Sequence, residues 1–377
     1  MDLSPELRAK LSGVIAHCHG AALGSSSDND ALLAFYNSTA MEGQSLRLRS
    51  DRSPDFFRFL RYQGPEHAVV LHRGQEGIDG LGTLAFRNGY VNGRLCRVGY
   101  LGDLRIAFRR ALIREWRKCF SELLEACGDV RFLTAIIDEN ARAQNALIRS
   151  TKAPFRYRRL ASYWMVNVLA GLPFVSAIPN SDGIACRRAL ATDVVALRAF
   201  LDSQHRAKAF GYAFAEGELE RRFETWEGFS ISSFFLALDG RRIVGCFAPW
   251  SPSDAKRNII ERVPWYLTVL RPILRIPRQG QAVYANYLTH LEIDPSLGSA
   301  DRRRVFSALF RYYYAHHRDR TAHVVSFCDY SATRFHEGLG GFVLQKIPMT
   351  LFSVAHVDSH EQSIDGCEEP GFEMALV

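Results

Sequence analysis

The sequence predicts an α/β (α+β) fold made of two tandem copies of one unit, each a set of strands flanked by helices. Three observations predict it. YLGDLRI (Tyr100–Ile106) returns as YLTHLEI (Tyr287–Ile293), with Tyr, Leu, Leu and Ile in the same places. The text around both stretches runs through the same order of strand-like and helix-like segments. Between the copies lies AGLPFVSAIPNSDG (Ala170–Gly183), a stretch rich in Pro, Gly, Ser and Asn that reads as a connector. A lone match of four apolar residues carries little, whereas an ordered match of whole elements is a repeat, and a repeat governs the architecture.

Each unit is read in the order strand, helix, β-hairpin, strand, helix, strand, helix, strand. LRLRSDRSPDFFRFL (from Leu46) and CRRALATDVVALRAFL (from Cys186) each lead from a short strand-like run into Ser or Thr and Asp. Those residues suit a helix start, where side-chain oxygens accept from free backbone amides. HAVVLHRGQEGIDGLGTLAFR and SSFFLALDGRRIVGCFAPW are both strand, polar turn, strand, and Asp239-Gly240 is a hairpin signal. After the opening pair come two amphipathic helices. One presents Leu112, Ile113, Trp116, Cys119, Phe120, Leu123, Leu124 and Cys127, the other Val305, Phe306, Leu309, Phe310 and Tyr313. The runs RFLTAII and HVVSF follow, then the turn-and-helix segments DENARAQNALI and DYSATRFHEGL, then the closing strands SYWMVNVL and MTLFSV.

These readings divide the chain into a helical extension (1–44), a first unit (45–172), a linker (173–182), a second unit (183–357) and a tail (358–377). The second unit carries an insert, 250–281, that mixes Trp, Leu and Ile with Arg and Lys and is cut by Pro264, Pro272 and Pro277. A short helical excursion packed on the body is the plain reading of the insert. A lid or a peripheral membrane contact is the alternative.

With 377 residues, 47% of them hydrophobic and 23% charged, the chain is globular and long enough for two domains. No apolar run reaches the ~20 residues of a membrane-spanning helix, and the N-terminus lacks a secretion signal. The eight cysteines form no CxxC pair. They read as reduced, buried thiols in a cytoplasmic protein, and no Cys/His cluster at short spacing calls for a metal. The net charge of +7 and the pI near 9.0 favour anionic partners. The arginines are scattered, so nucleic acid is not the expected partner.

The order of elements around YLGDLRI and YLTHLEI resembles the GNAT superfamily of N-acetyltransferases, and the resemblance covers both halves. It implies a mixed, mostly antiparallel twisted sheet in each unit. It also implies acetyl-CoA or another acyl-CoA as co-substrate, held where the central strand splays from its neighbour. The turn after Ile293, with Gly298, Arg302, Arg303 and Arg304, would take the pyrophosphate, since a helix start offers free N–H groups and a positive dipole end. The family's glycines are missing there: the first unit has AFRRALIREW, and the second places Arg304 and Phe306 at the glycine positions. Asn140, and Asp329 in the second unit, would stand for the family's Asn after the splayed strand. Glu292 would be the general base, with His290 two residues before it on the same strand face; His336 or Tyr330 would be the acid. The first unit carries Asp103 and Arg105 instead, so the chemistry is expected in the second. The implied activity is transfer of an acyl group from acyl-CoA to a small-molecule amine. A non-catalytic binding or scaffold protein on the same fold is the alternative, as is a transferase that uses aminoacyl-tRNA or acyl carrier protein as donor.

Overall fold

A computed structural model of the chain describes residues 3–38, 47–107, 109–149, 155–172, 183–263, 271, 276–356, 364 and 368–377. The strands of the first half are β1 (Ala21–Leu23), β2 (Arg47–Asp51), β3 (Glu66–Gly74), β4 (Gly77–Val91), β5 (Arg94–Ile106), β6 (Arg131–Ile137) and β7 (Phe155–Gly171). Those of the second are β8 (Ala185–Arg188), β9 (Gly211–Tyr212), β10 (Phe235–Asp239), β11 (Arg242–Trp250), β12 (Arg257–Arg262), β13 (Ala282–Val283), β14 (Ala285–Ile293), β15 (Val324–Tyr330) and β16 (Phe342–His356). The helices used below are α1 (Pro5–Ile15), α2 (Asn29–Ser38), α3 (Arg58–Gln63), α4 (Arg110–Ala126), α5 (Val194–Arg206), α6 (Glu218–Thr225) and α7 (Ser299–His316).

Both halves share one sheet, in the order β1-β3-β4-β5-β6-β16-β7-β15-β14-β11-β10-β8, with β9 on β4; β13-β12-β2 form a small second sheet. Two pairings among the described strands are parallel, and they are equivalent. Val98–Tyr100 lie beside Arg131–Leu133, and Ala285–Tyr287 lie beside Val324–Ser326. In both, the last paired residue of the central strand is the Tyr that opens the repeated heptad, and the strands part beyond it. The helix between each parallel pair, α4 or α7, makes the crossover that parallel strands require.

The units do not end where their sequences end. β16, the last strand of the second unit, lies between β6 and β7 of the first. In exchange, β7 lies against β15 of the second. Each sheet is therefore completed by a strand of the other copy. The 173–182 linker lies outside the described residues.

Packing follows the apolar faces. Leu112, Trp116, Cys119, Leu123 and Leu124 of α4 are buried, as are Val305, Phe306, Leu309, Phe310 and Tyr313 of α7. The Trp116 ring lies over β4, where a Cβ added at Gly82 would come within 3.0 Å of it. The N-terminal extension belongs to the first unit: Leu7, Leu11 and Ile15 of α1 join the cluster of Trp116 and Leu123, and β1 adds an edge to β3. In the insert, β12 pairs with β2 and β13. Residues 264–270 and 272–275, which bear the lid or membrane reading, lie outside the described residues. The seven cysteines among the described residues are free thiols, and no described helix is long and apolar enough to cross a membrane. The chain's last residues turn inward, and Met374, Ala375 and Leu376 are buried.

Candidate functional site

Each central strand is interrupted at the same place. In the first unit Leu81 faces Arg105 and Thr83 faces Gly102, so Gly82 alone faces Asp103 and Leu104. In the second, Cys246 faces Glu292 and Ala248 faces Thr289, so Phe247 alone faces His290 and Leu291. These are β-bulges, one extra residue on one strand. The bulged residues have positive φ, 53° at Asp103 and 52° at His290. That left-handed conformation costs an L-residue about 1–2 kcal/mol, so both positions need support from their surroundings.

The support is polar and buried in both units, with different residues. The Asp103 carboxylate accepts from Arg52 Nη2 at 2.8 and 2.9 Å and from Thr83 Oγ1 at 2.9 Å. The Arg52 guanidinium in turn lies over the rings of Tyr36, Phe56 and Phe59. The His290 backbone N–H donates to Glu373 Oε1 at 3.0 Å, and Arg222 Nη1 donates to His290 Nε2 at 2.8 Å. The proton of the neutral ring therefore sits on Nδ1, which reaches Thr289 Oγ1 at 2.9 Å. Burial, with Arg222 and His205 nearby, holds His290 well below the usual imidazole range. Both ring nitrogens are thus committed, and the ring packs face to face on Phe229.

Glu292 is equally committed. Lys208 Nζ donates to its two oxygens at 2.6 and 2.7 Å, and His205 Nε2 lies 3.0 Å from Oε1. The Tyr212 backbone N–H donates to His205 Nδ1, which leaves the ring proton on Nε2, facing the carboxylate. Burial disfavours the charge on Glu292, but Lys208 and His205 outweigh it and hold the carboxyl down to about 2. Burial pushes His205 down to about 4. Both oxygens of Glu292 are thus engaged in a buried ion pair with Lys208, with His205 beside them.

The space beyond the second bulge is narrowed by the chain itself to a cavity of about 40 Å³ bordered by Lys208, Glu292, Tyr330 and Glu369. Residues 369–374 run through the opening between β14 and β15. Arg302 grips Glu369 with two bonds of 2.6 and 2.8 Å. The Tyr330 hydroxyl donates to the Pro370 carbonyl at 2.7 Å. Glu373 closes the strap on His290 and Arg222. Tyr330 and Arg302, expected as acid and phosphate ligand, are thus anchors for this strap.

The remaining expected residues divide between turns and surface. Ile293 is buried, and the turn after it is organised by Asp294, whose carboxylate accepts from the Ser296 N–H and pairs with Arg242. An acidic group therefore sits at the turn assigned to a pyrophosphate. Gly298 is the exposed N-cap of α7, Arg303 is half-buried, and Arg304 pairs with Asp301 at the surface. Phe306 points away into the core, against Phe327 and Phe335. Asp329 accepts from Thr333 Oγ1 and from the Phe335 and His336 amides, and it holds His336 Nδ1 at 2.5 Å. Asn140 caps the Ala143 amide of the helical turn Ala141–Ala143. The parallel pairings place Leu133 opposite Tyr100 and Ser326 opposite Tyr287, so counting onward Asn140 corresponds to Thr333. This corrects the match of Asn140 with Asp329, which instead corresponds to Ile136.

The first unit differs at the equivalent opening. Thr289, His290, Glu292 and Ile293 are buried, whereas Gly102, Asp103, Arg105 and Ile106 are half-buried and Leu104 is exposed. β5 leaves β6 after Tyr100, and Thr134 Oγ1 donates to the Leu101 carbonyl at the point of the wedge. At its far end, α4 begins with Arg109 and Arg110 exposed; Arg109 pairs with Asp79. On the sheet face beside it, Ala85, Tyr100 and Leu133 line a cavity of about 20 Å³, closed by Gln63, Arg87, Tyr212, Glu373 and Val377. Lys256 borders the Asp103 network and donates to the Val377 carbonyl. Burial, then Arg52, lowers its ammonium to about 7, with Asp103 opposing. The sequence offered no local signal for Lys256, His205 or Lys208, since Lys256 reaches Val377, and His205 and Lys208 reach Glu292, across more than eighty residues.

No protein-family model matches the sequence, and no curated protein is significantly similar to it. Solved structures are similar in fold. The N-myristoyltransferase of Saccharomyces cerevisiae with bound myristoyl-CoA superposes with a TM-score of 0.58 at 11% identity, over 94% of this chain and 85% of that one. A second structure of that protein gives 0.55 at 10% identity, over 94% and 90%. A GCN5-related N-acetyltransferase of Sphaerobacter thermophilus gives 0.46 at 11% identity, over 94% and 97%. The chain thus shares the fold of these N-myristoyltransferase structures. Within this chain, two equivalent parallel pairings lie in one continuous sheet.

Proposed function

We propose that the protein is an N-acyltransferase that binds acyl-CoA in the wedge of its first unit and passes the acyl group to an amine. The observation that carries the reading is the contrast between the two wedges. The second is crossed by residues 369–374, which leave a cavity of about 40 Å³ beside Glu292, while along the first Leu104 is exposed and Gly102, Arg105 and Ile106 are half-buried. Backbone freed where β5 and β6 part suits the amide-bearing pantetheine arm, which adds to such edges like a strand. The start of α4, with Arg109 and Arg110, suits phosphates through its free amides and charge. The structural neighbours described as bound to myristoyl-CoA support a long-chain acyl donor. Lys256, in its neutral form, takes the proton of the attacking amine; burial makes that form accessible near neutral pH.

Calorimetric titration with acetyl-CoA and myristoyl-CoA tests this. The paired change Arg109→Glu and Arg110→Glu is expected to weaken binding at least about tenfold, the loss of one or two charge-assisted hydrogen bonds. The corresponding change Arg303→Glu and Arg304→Glu is expected to leave it unaltered. Equal effects from both pairs, or no heat from either ligand, would overturn the placement. The small cavity over Tyr100 and the absence of glycine from Arg109–Arg114 favour a second reading, a non-catalytic binding protein. Ligand binding without release of free CoA in the presence of varied amines would select it.

A further inference from the structure

A separate cluster in the first unit lies outside the acyl-transfer reading. His19, His72 and Glu115 are remote in sequence, yet one ligand atom of each lies within 4.8 Å of the others. His72 is already oriented as a ligand. Its Nδ1 meets Asp79 Oδ1 at 2.5 Å, so Nδ1–H donates to the carboxylate and Nε2 is the nitrogen left to offer a lone pair. That Nε2 is shielded from solvent and has no hydrogen-bond partner among the described residues. A buried acceptor left unmatched is costly, and a carboxylate behind an imidazole whose other nitrogen is free is the usual support of a metal-bound histidine.

The scaffold holds the three side chains from rigid elements. Ala21 pairs with His72 across the β1–β3 ladder, and the Arg73 N–H donates to the Gly20 carbonyl. Gly20 has φ 72°, and a Cβ there would lie 2.5 Å from His72 Nε2, so only glycine lets the His19 segment close over the ring. Glu115 precedes Trp116, which anchors α4 against Gly80 and Gly82.

We propose that His19, His72 and Glu115 bind one divalent transition-metal ion of the zinc class, with Asp79 as the positioning residue behind His72. Two imidazoles and a carboxylate suit zinc, with a fourth position left for water; calcium and magnesium favour oxygen throughout. Tetrahedral bonds of ~2.1 Å put ligand atoms roughly 3.4 Å apart, so a modest closure is required. His19 and Glu115 are exposed, so their side chains can supply that closure and the site is open to entry.

The full chain, stripped by a chelator, is titrated calorimetrically with zinc and by absorption with Co²⁺. One equivalent is expected, with the intense visible bands of a four-coordinate cobalt site. His19→Ala and Glu115→Gln, both at exposed positions, are each expected to weaken zinc binding at least tenfold with an unchanged circular dichroism spectrum. Asp79→Asn is expected to weaken it about 10–100-fold. Undiminished binding by the His19→Ala variant would overturn the assignment. So would no binding by the unmodified chain, or cobalt–thiolate charge-transfer bands, which would place the ion on neighbouring Cys18.

Discussion

Glu292→Gln separates a structural carboxylate from a catalytic one. The change keeps shape but removes the charge facing Lys208 and His205. Glu292 is held near 2 rather than its ordinary 4.5. At about 1.4 kcal/mol per pK unit, a shift of that size corresponds to roughly 3 kcal/mol. Breaking one partner out of a buried ion pair costs about 3–5 kcal/mol, the same range. The sign is fixed by the depressed value: the contribution is full above 4.5 and is lost as pH falls towards 2. His205 acts in the same direction at higher pH. Its folded pKa is about 4 against 6.5, so stability falls as pH drops through that interval. Urea melts are therefore expected to show Glu292→Gln destabilised by about 3 kcal/mol near neutral pH, with the gap closing in acid. Unchanged stability together with abolished acyl transfer would refute the reasoning and return Glu292 to the role of base.

Three further outcomes follow from particular contacts. Arg302→Ala releases Glu369 and loosens the strap, so limited proteolysis should cut between residues 364 and 374 faster than in the unmodified chain, without a change elsewhere. Lys256→Met removes a buried ammonium whose pKa burial lowers to about 7. The cost of that charge grows as pH falls from 10.5 towards 7, so the variant should be more stable at neutral pH by about 1–2 kcal/mol, less so in alkali, and inactive in acyl transfer. Gly82→Val forces branched methyls against Trp116 beside the first bulge; thermal melts should show a loss of about 1–3 kcal/mol.

Much of the fold was legible because it is written in local patterns. The repeated heptad, the α4 and α7 faces and the hairpins rest on periodicities of two and 3.6 residues, which neighbours in sequence reveal. The exchange of β7 and β16 was not legible. Both are long strands with apolar positions on both faces, and the same text serves a strand inside its own unit or inside the other. The bulges were half-legible. Asp103 and His290 occupy one of the three positions where the two heptads differ, and Asp and His are among the residues that tolerate positive φ. Glu292 was visible as a carboxylate on a central strand. Its partners were not, because Lys208 and His205 follow from how the end of α5 packs on β14, a contact no spacing rule describes.

The crossed ends of β7 and β16 impose an order on synthesis. β6 lacks its inner neighbour until residues 342–356 exist, since β16 supplies that edge. The first copy cannot finish its sheet while it is the only part outside the ribosome, although it leaves first. It must wait with an unpaired strand edge, the kind of surface that invites aggregation and chaperone attention. The same geometry means that the halves, made as two separate polypeptides, should assemble with each other and should be poorly soluble apart.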